Sequence, residues 1–191
     1  MADFGYFPDI DLLLPGDLLL FMAAKPKWVS RRIQAAQRKG GYPNPHARWH
    51  HAAVHIGKGH IVEAVAEGRV SYRQMYHYIG SHCIRVRRDP SLSNDDRYGL
   101  AIEALTTLRA RYSIGAIPKI LAHTIKGLWR TDIHDRSMRP VICSQVYADA
   151  YMTTTNRLVV PRTPGYVIPA ALSETPVLQD VPIPWKSIHL P

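Results

Sequence analysis

The sequence predicts an α+β domain in which helices pack on one face of an antiparallel sheet. Short apolar runs bounded by glycine and proline dominate residues 15–88. Amphipathic helical patterns dominate the part that follows, from Ser93 to Met152. Strands that precede the helices, rather than alternating with them, are typical of an α+β architecture.

The composition fits one folded domain. The chain has 191 residues, of which 46% are hydrophobic and 20% are charged. This balance argues against a disordered protein, and the length suits a single domain over residues 1–191. Two cysteines are too few for a disulfide framework and make a reducing compartment the default expectation.

The charge of the chain bears on its partners. Lys and Arg exceed Asp and Glu by 24 to 15, which gives a net charge of +9. This excess favours an anionic partner, such as a cell-wall polymer, a lipid headgroup or nucleic acid, without choosing among them.

Neither a secretory signal nor a membrane span is apparent. The N-terminus carries acidic residues where a signal peptide would carry Lys or Arg. The longest apolar run, residues 18–24, is far too short to cross a bilayer. We therefore expect a protein that is cytoplasmic as synthesised, which leaves export by a route without a signal peptide open.

The predicted strands follow turn signals. A Pro15-Gly16 turn precedes the first apolar run, and Gly57 and Gly59 separate the second run from the third. Four runs are predicted to form strands: residues 18–24, 50–57, 60–66 and 84–88.

A basic helix is predicted between the first two strands, over residues 25–41. Its apolar positions fall on one face: Trp28, Val29, Ile33 and Ala36. The helix could lie on an anionic surface, or it could be an ordinary surface helix whose basic face is in water. The sequence leaves both interpretations open.

Three helices are predicted in the second half. The first begins at Ser93, which serves as the N-cap and is followed by Asp96 in the first turn. The second covers residues 117–129, and the third begins at Cys143. The proline-rich tail is interleaved with apolar residues, so we expect an ordered strap over residues 161–191.

Several histidines crowd the second strand and raise the question of a metal site. Two pairs, His46 with His50 and His51 with His55, have the four-residue spacing that metal sites use on helices. Nearby prolines and glycines disfavour a helix there, and residues four apart on a strand lie far from each other. We therefore expect neither a metal nor a cofactor.

The alternative chemistry is a thiol and imidazole pair. A free thiol has a pKa near ~8.5, so it needs a helix N-terminus or an imidazolium nearby to form the thiolate at neutral pH. Cys143 lies at a predicted helix start, and the strand at residues 50–57 supplies histidines.

Glu63 is the candidate that would orient such an imidazole. If Gly57-Lys58-Gly59 is a three-residue loop, His51 and Glu63 project from the same face of the hairpin. If the turn has only two residues, Glu63 faces away. Two glycines favour the three-residue loop, whose last residue needs a positive φ.

Three segments in this order carry a family resemblance: "PGDLLLF", "WHHAAVHIGKGHIVEA" and "VICSQVYADAY". They resemble the circularly permuted papain-like enzymes of the NlpC superfamily, including its lecithin:retinol acyltransferase-like branch. The resemblance spans residues 15–178 and includes the tail "IPAALSETPVL". It implies the permuted papain-like fold, with the histidine strand before the cysteine helix.

Residue by residue, the resemblance implies that Cys143 is the nucleophile, His51 the base and Glu63 the orienting residue. Asp17 matches the acid of the superfamily's "GD" turn, and we interpret it as structural. His50 leaves an ambiguity of one residue in the base, and His55 replaces a residue that is usually apolar.

The sequence thus predicts a cysteine hydrolase that cleaves an amide bond, such as a bacterial cell-wall peptide bond, through an acyl-enzyme intermediate. The resemblance also implies an alternative of the same fold, a lipid acyl hydrolase or acyltransferase. A basic module without catalysis, binding nucleic acid or an anionic surface, is the alternative of another class. We expect an anionic substrate, peripheral contact with wall or membrane, and no specific nucleic acid; the oligomeric state is not indicated.

Overall fold

The computed structural model describes residues 6–65, 69–108, 142–161 and 167–187. Within them eight strands are assigned: β1 (Tyr6–Pro8), β2 (Leu18–Ala23), β3 (His51–Gly57), β4 (His60–Val65), β5 (Arg69–Gln74), β6 (His82–Arg88), β7 (Gln179–Val181) and β8 (Trp185–Ser187). Six of these make one antiparallel sheet in the order β5-β4-β3-β2-β6-β7, and β1 pairs with β8. The predicted α+β class with an antiparallel sheet is confirmed.

Five α-helices are assigned in the same ranges: α1 (Trp28–Lys39), α2 (Asn44–Ala47), α3 (Asn94–Thr106), α4 (Cys143–Thr155) and α5 (Pro169–Glu174). Two short 3-10 helices cover Ile10–Leu12 and Met75–Tyr78. The helix predicted over residues 117–129 lies outside the described residues. None of the described helices is long and apolar enough to cross a membrane.

The core forms on both faces of the sheet because alternate residues of each strand point to opposite sides. On one face, α3 and α4 cover apolar side chains that include Leu18, Leu20 and Ala52. On the other face, Leu19 and Phe21 pack with side chains from Met75–Tyr78 and with Leu13. Burial of each large apolar side chain contributes about 1.5–3 kcal/mol, which fixes the register of the central strands.

The hairpin between β3 and β4 differs from the three-residue loop that we predict. Gly57 pairs with His60, so the turn consists of Lys58 and Gly59 alone, with φ values of 49° and 71°. Two positive φ values are those of a type I′ hairpin turn. A register shift between His55 and Gly57 then brings Val54 opposite Val62, which is the register that a three-residue loop would have given. The bulge, and not the loop length, puts His51 and Glu63 on one face.

Helix α1 forms where predicted, but its apolar face is not the one expected. Trp28 and Val29 are 69% and 43% exposed, whereas Ala36 and Gln37 are buried. The Gln37 side chain donates to the carbonyl oxygens of Ala47 and Trp49 at 2.9 and 2.8 Å. These bonds to the chain leading into β3, and not the apolar stripe, hold the helix in place. The same chain, predicted as loop, contains the four-residue α2.

Helix α3 begins as the sequence predicts. The Ser93 hydroxyl accepts a hydrogen bond from the Asp96 backbone N–H at 3.1 Å. The Asp96 carboxylate accepts in return from the Ser93 backbone N–H, also at 3.1 Å. This capping box satisfies two backbone donors that the first turn would otherwise leave without partners.

The arginines of β6 are not the solvated strand edge that their sequence suggests. Arg88 makes two bonds of 2.7 Å to the Asp17 carboxylate, and Arg85 binds Asp180 at 2.7 and 2.9 Å. Arg87 is buried and donates to backbone carbonyls at the end of α5, including that of Thr175. The guanidinium groups of Arg85 and Arg87 therefore hold the tail against β6, and that of Arg88 holds Asp17.

Part of the tail is ordered as expected, since residues 167–187 form α5, β7 and β8. Strand β7 extends the main sheet beside β6. Because residues 162–166 and 188–191 lie outside the described ranges, the strap over residues 161–191 and the single domain over 1–191 stay predictions.

Candidate active site

His51 and Glu63 meet on one face of the β3–β4 hairpin. The His51 Nε2 atom lies 2.5 Å from the Glu63 Oε2 atom. The Glu63 side chain is fully buried, and that of His51 is 15% exposed. A buried carboxylate at this distance fixes the orientation of the imidazole and favours its protonated form.

Two further side chains hold the Glu63 carboxylate. The Tyr78 hydroxyl donates to Oε2 at 2.5 Å, and Arg73 Nε lies 3.4 Å from Oε1. Burial raises the pKa of Glu63. Three neighbours lower it by a larger amount: His51 by its hydrogen bond and charge, Tyr78 by its hydroxyl and Arg73 by its charge. The net pKa of Glu63 lies below its ordinary value, so the carboxylate is charged at neutral pH.

Cys143 is the first residue of α4 and is nearly buried, at 7% exposure. The backbone N–H groups of Ala52 and Ser144 act on its thiol and lower the pKa. Ala52 pairs with Leu20 of β2, whereas the pairs of β3 with β4 end at Val54↔Val62. As the first residue of α4, Cys143 lies at the positive end of the helix dipole.

The Cys143 thiol and the His51 ring also act on each other. Burial raises the pKa of the thiol, but the charge and hydrogen bond of His51, with the amides of Ala52 and Ser144, lower it below the ordinary value. Burial likewise lowers the pKa of His51, but the charges and hydrogen bonds of Cys143 and Glu63 raise it above the ordinary value. The arrangement favours a thiolate and imidazolium ion pair.

The two ring nitrogens of His51 have separate partners. Because Nε2 is bound to Glu63, Nδ1 is the atom left to exchange a proton with the Cys143 sulfur.

The start of α4 is held by buried polar contacts as well as by its apolar stripe. The Ser144 hydroxyl donates to the Val167 carbonyl at 2.6 Å, and the Gln145 side chain accepts from the Val167 N–H at 3.1 Å. Further along, the Tyr151 hydroxyl donates to the Asp89 carboxylate at 2.6 Å. These bonds hold α4 against β3, the strand that begins at His51.

His50, the neighbour that the sequence left open as an alternative base, is bound to a different part of the chain from His51. Its Nε2 atom accepts a hydrogen bond from the Ala23 N–H at 2.9 Å. Burial, with the charges of His51 and His82, lowers the pKa of His50 to about 4. His50 is therefore neutral at neutral pH and ties the end of β2 to the start of β3.

Asp17 and His55 form a second buried group at the other end of β3. Arg88 binds the Asp17 carboxylate, and the Leu14 N–H donates to it at 2.8 Å. His55 Nδ1 bonds to the Leu14 carbonyl at 2.9 Å, while Nε2 accepts from the Gly59 N–H at 3.2 Å. The two contacts with Leu14 hold the Pro15-Gly16 turn and the contact with Gly59 holds the β3–β4 turn, in keeping with the structural interpretation of Asp17.

The remaining histidines of the cluster lie apart from one another in the structure. His46 contacts the Ser173 hydroxyl at 3.0 Å, and His60 stacks on Tyr72 with ring centroids 4.9 Å apart. Across the described ranges, no three His, Cys, Asp or Glu side chains come together as a group that could hold a metal.

Cys83, the other cysteine of the chain, lies on β6. A cysteine in mid-strand suggests packing, yet Cys83 is exposed and Cys143 is buried. At this position of β6 the side chain points to solvent.

Sequence reasoning missed Tyr78 and Arg73. Arg73 lies on β5, and Tyr78 lies on the 3-10 helix that follows it. Neither element was predicted from the sequence, because the stretch "RVSYRQMYHY" is mostly polar. Only Val70 is buried in β5. The alternation of Val70 and Tyr72 between polar neighbours was the available signal for an edge strand.

Comparison with known proteins identifies the fold. No family model matches the sequence, and no curated protein matches it. The chain is similar to the crystal structure of the metalloprotein YiiX from Escherichia coli O157:H7, with a TM-score of 0.63 and 19% identity. The match covers 91% of this chain and 98% of that chain. The two proteins share an α+β fold built on an antiparallel sheet.

Proposed function

We propose that the protein is a cysteine hydrolase of the circularly permuted papain-like NlpC superfamily, with Cys143 as nucleophile, His51 as base and Glu63 as orienting residue. One observation carries the proposal: the His51 ring is bound to the buried Glu63 carboxylate at 2.5 Å, and its pKa is raised by both Cys143 and Glu63. A packing cysteine needs neither a charged histidine nor two amide donors on its sulfur.

In the acylation half, the Cys143 thiolate attacks the carbonyl carbon of the substrate and the carbonyl π electrons move to oxygen. N–H groups of the first turn of α4, including that of Cys143, stabilise the resulting oxyanion. The His51 imidazolium then gives its Nδ1 proton to the leaving amine as the C–N bond breaks. An acyl-enzyme thioester remains, and His51 is neutral.

In the deacylation half, neutral His51 removes a proton from water through Nδ1 and the hydroxide attacks the thioester carbon. Collapse of this second tetrahedral intermediate breaks the C–S bond and releases the carboxylic acid. Cys143 leaves as thiolate beside the His51 imidazolium, which restores the starting pair. Glu63 keeps Nε2 occupied throughout, so that Nδ1 alone exchanges protons.

The proposed substrate is an amide, such as a peptide or isopeptide bond of the bacterial cell wall. The same steps cleave a lipid acyl ester, with an alcohol as the leaving group, and transfer the acyl group when an alcohol or amine replaces water. The net charge of +9 suits the anionic forms of both substrates.

The word metalloprotein in the description of YiiX raises the question of a metal. The donor set described above does not fit one, because the described His, Cys, Asp and Glu side chains form no group of three that could hold a metal ion. We derive no step through a metal here.

The test is incubation of the purified protein with peptidoglycan and, separately, with phospholipid vesicles, followed by mass spectrometry of the products. We expect the wild type to release peptide fragments from peptidoglycan, and Cys143→Ala to release none. Release of fatty acid from the vesicles, without release of peptide from peptidoglycan, would identify a lipid ester as the substrate instead. If neither substrate is cleaved and the protein binds single-stranded nucleic acid in a salt-dependent way, the protein is a basic binding module and not an enzyme.

The matched control is Cys83→Ala, which removes the other cysteine at an exposed position. We expect this variant to keep full activity. Loss of activity in both cysteine variants would point to a fold defect rather than to a nucleophile.

Thiol alkylation gives a test that needs no substrate. We expect iodoacetamide near neutral pH to modify Cys143 faster than Cys83, although Cys83 is the exposed one, because the surroundings of Cys143 lower the pKa of its thiol. Peptide mapping over time separates the two sites. Faster modification of Cys83 in the folded protein would contradict a stabilised thiolate.

A further inference from the structure

The start of α1 exposes an apolar pair among cations. Trp28 and Val29 are 69% and 43% exposed, and they lie at the first two positions of the helix. Four exposed cations surround this pair in the sequence: Lys25, Lys27, Arg31 and Arg32. No acidic residue occurs anywhere over residues 25–39. We call residues 25–32 the basic helix start.

The basic helix start lies at the end of the sheet where the candidate active site begins. Phe21 pairs with His51, and the Ala23 N–H binds His50 at 2.9 Å. The chain then leaves β2, and Lys25 follows two residues later, within about 7 Å along the backbone. Gln37 binds the Trp49 carbonyl from the same helix at 2.8 Å. The surface is therefore tethered to the chain that carries His51.

The chemistry of this surface fits one kind of partner. Tryptophan places its apolar ring and its N–H at the boundary between lipid headgroups and acyl chains, and an adjacent valine extends the apolar contact. Lys and Arg beside it attract anionic headgroups. Arg32 lies over the face of the Trp28 ring, 5.1 Å from its centroid, so the guanidinium and the indole belong to one patch of surface. A solvated basic helix has no reason to expose its only tryptophan.

We propose that the basic helix start docks the protein on an anionic lipid bilayer, with Trp28 and Val29 entering the headgroup region and the four cations on the phosphates. The end of the sheet that carries His51 and Cys143 then faces the bilayer. The docking does not depend on the proposed hydrolysis and is tested without it.

The experiment is co-sedimentation of the full chain with vesicles of phosphatidylcholine, alone or mixed with phosphatidylglycerol. We expect binding to the mixed vesicles and little binding to phosphatidylcholine alone. Lys25→Gln with Lys27→Gln should weaken binding to mixed vesicles by roughly 25-fold, because each cation near the surface contributes roughly fivefold. Raising the salt concentration should weaken the wild type similarly.

Two matched controls separate this surface from charge and aromatic content in general. Arg38→Gln with Lys39→Gln removes the same charge from the exposed far end of α1 and should weaken binding far less. Trp28→Ala should reduce binding about tenfold, whereas Trp185→Ala, at a tryptophan that is 48% exposed elsewhere, should not. Thermal unfolding confirms that each variant is folded.

The proposal is overturned if the two double variants weaken vesicle binding equally, or if Trp28→Ala binds like the wild type. It is also overturned if the protein ignores both vesicle types and binds a single-stranded oligonucleotide through Trp28 instead. Because Cys143→Ala should bind vesicles as the wild type does, loss of hydrolysis and loss of docking are distinguishable.

Discussion

Strand β3 has a histidine near each end, and the two ends use buried carboxylates differently. At one end Glu63 is bound by His51 and Tyr78, at 2.5 Å each. At the other end Asp17 is bound by Arg88 through two bonds of 2.7 Å, and His55 bonds only to backbone groups. Both carboxylates are fully buried.

The difference lies in the cation bound most closely to each carboxylate: an imidazole at Glu63, with Arg73 farther away at 3.4 Å, and a guanidinium at Asp17. A guanidinium stays charged at any physiological pH, so the Asp17 pair cannot move a proton and can only hold the Pro15-Gly16 turn. An imidazole can lose its proton, so the same buried charge at Glu63 holds a group that is able to exchange protons. One arrangement stabilises the fold, and the other is the one to which we assign the proposed chemistry.

Substitution of the two histidines tests this division most strongly. We expect His51→Ala to lower kcat by at least about 10³-fold, because neither the thiolate nor the leaving group then has a proton partner. We expect His55→Ala to leave kcat of the folded enzyme unchanged but to lower the free energy of unfolding by about 2–4 kcal/mol, since Leu14 and Gly59 lose their partner. Activity and urea unfolding measured on both variants decide the point.

The arginine at the structural end gives the next effect. Arg88→Gln leaves the Asp17 carboxylate buried with much of its neutralising charge removed, which should lower the free energy of unfolding by about 3–5 kcal/mol. Turnover per folded molecule should not change. A variant as stable as the wild type in urea would show that Arg88 is not what balances Asp17.

Glu63→Gln sharpens the catalytic end. This change keeps the shape and removes the charge, so we expect the fold to persist and kcat to fall by about 100-fold.

The pH profile of Glu63→Gln adds a signed test. The active ion pair exists between the lowered pKa of Cys143 and the raised pKa of His51, which lies at about 10. Glu63 contributes to that increase, so its loss should move the alkaline limb of kcat/KM to lower pH. An unchanged alkaline limb would contradict the coupling between Glu63 and His51.

Tyr78→Phe should give the smallest effect. It removes one hydrogen bond from the Glu63 carboxylate while the ring still packs against Phe21, at a centroid distance of 4.1 Å. We expect kcat to fall about fivefold with KM unchanged, which corresponds to about 1 kcal/mol. Tyr72→Phe, at an exposed tyrosine of β5, serves as the control and should match the wild type.

The order of the candidate residues and the central strands followed from the sequence alone. Alternating apolar residues predict β3 and β4, and the Ser93 capping box predicts the start of α3, because these signals depend on neighbours in the chain. His51, Glu63 and Cys143 could be selected by their chemical types and their order. Their assignment as catalytic residues remains a prediction.

Only the tertiary structure decided which side chains complete each group. Tyr78 and Arg73 reach Glu63 through a polar edge strand, and a bulge after His55 sets the register that a loop length cannot specify. Trp28 is exposed because Gln37, and not an apolar stripe, anchors α1. Local sequence encodes local geometry, whereas the partners of buried charges and the exposure of a helix face depend on contacts between residues distant in the chain.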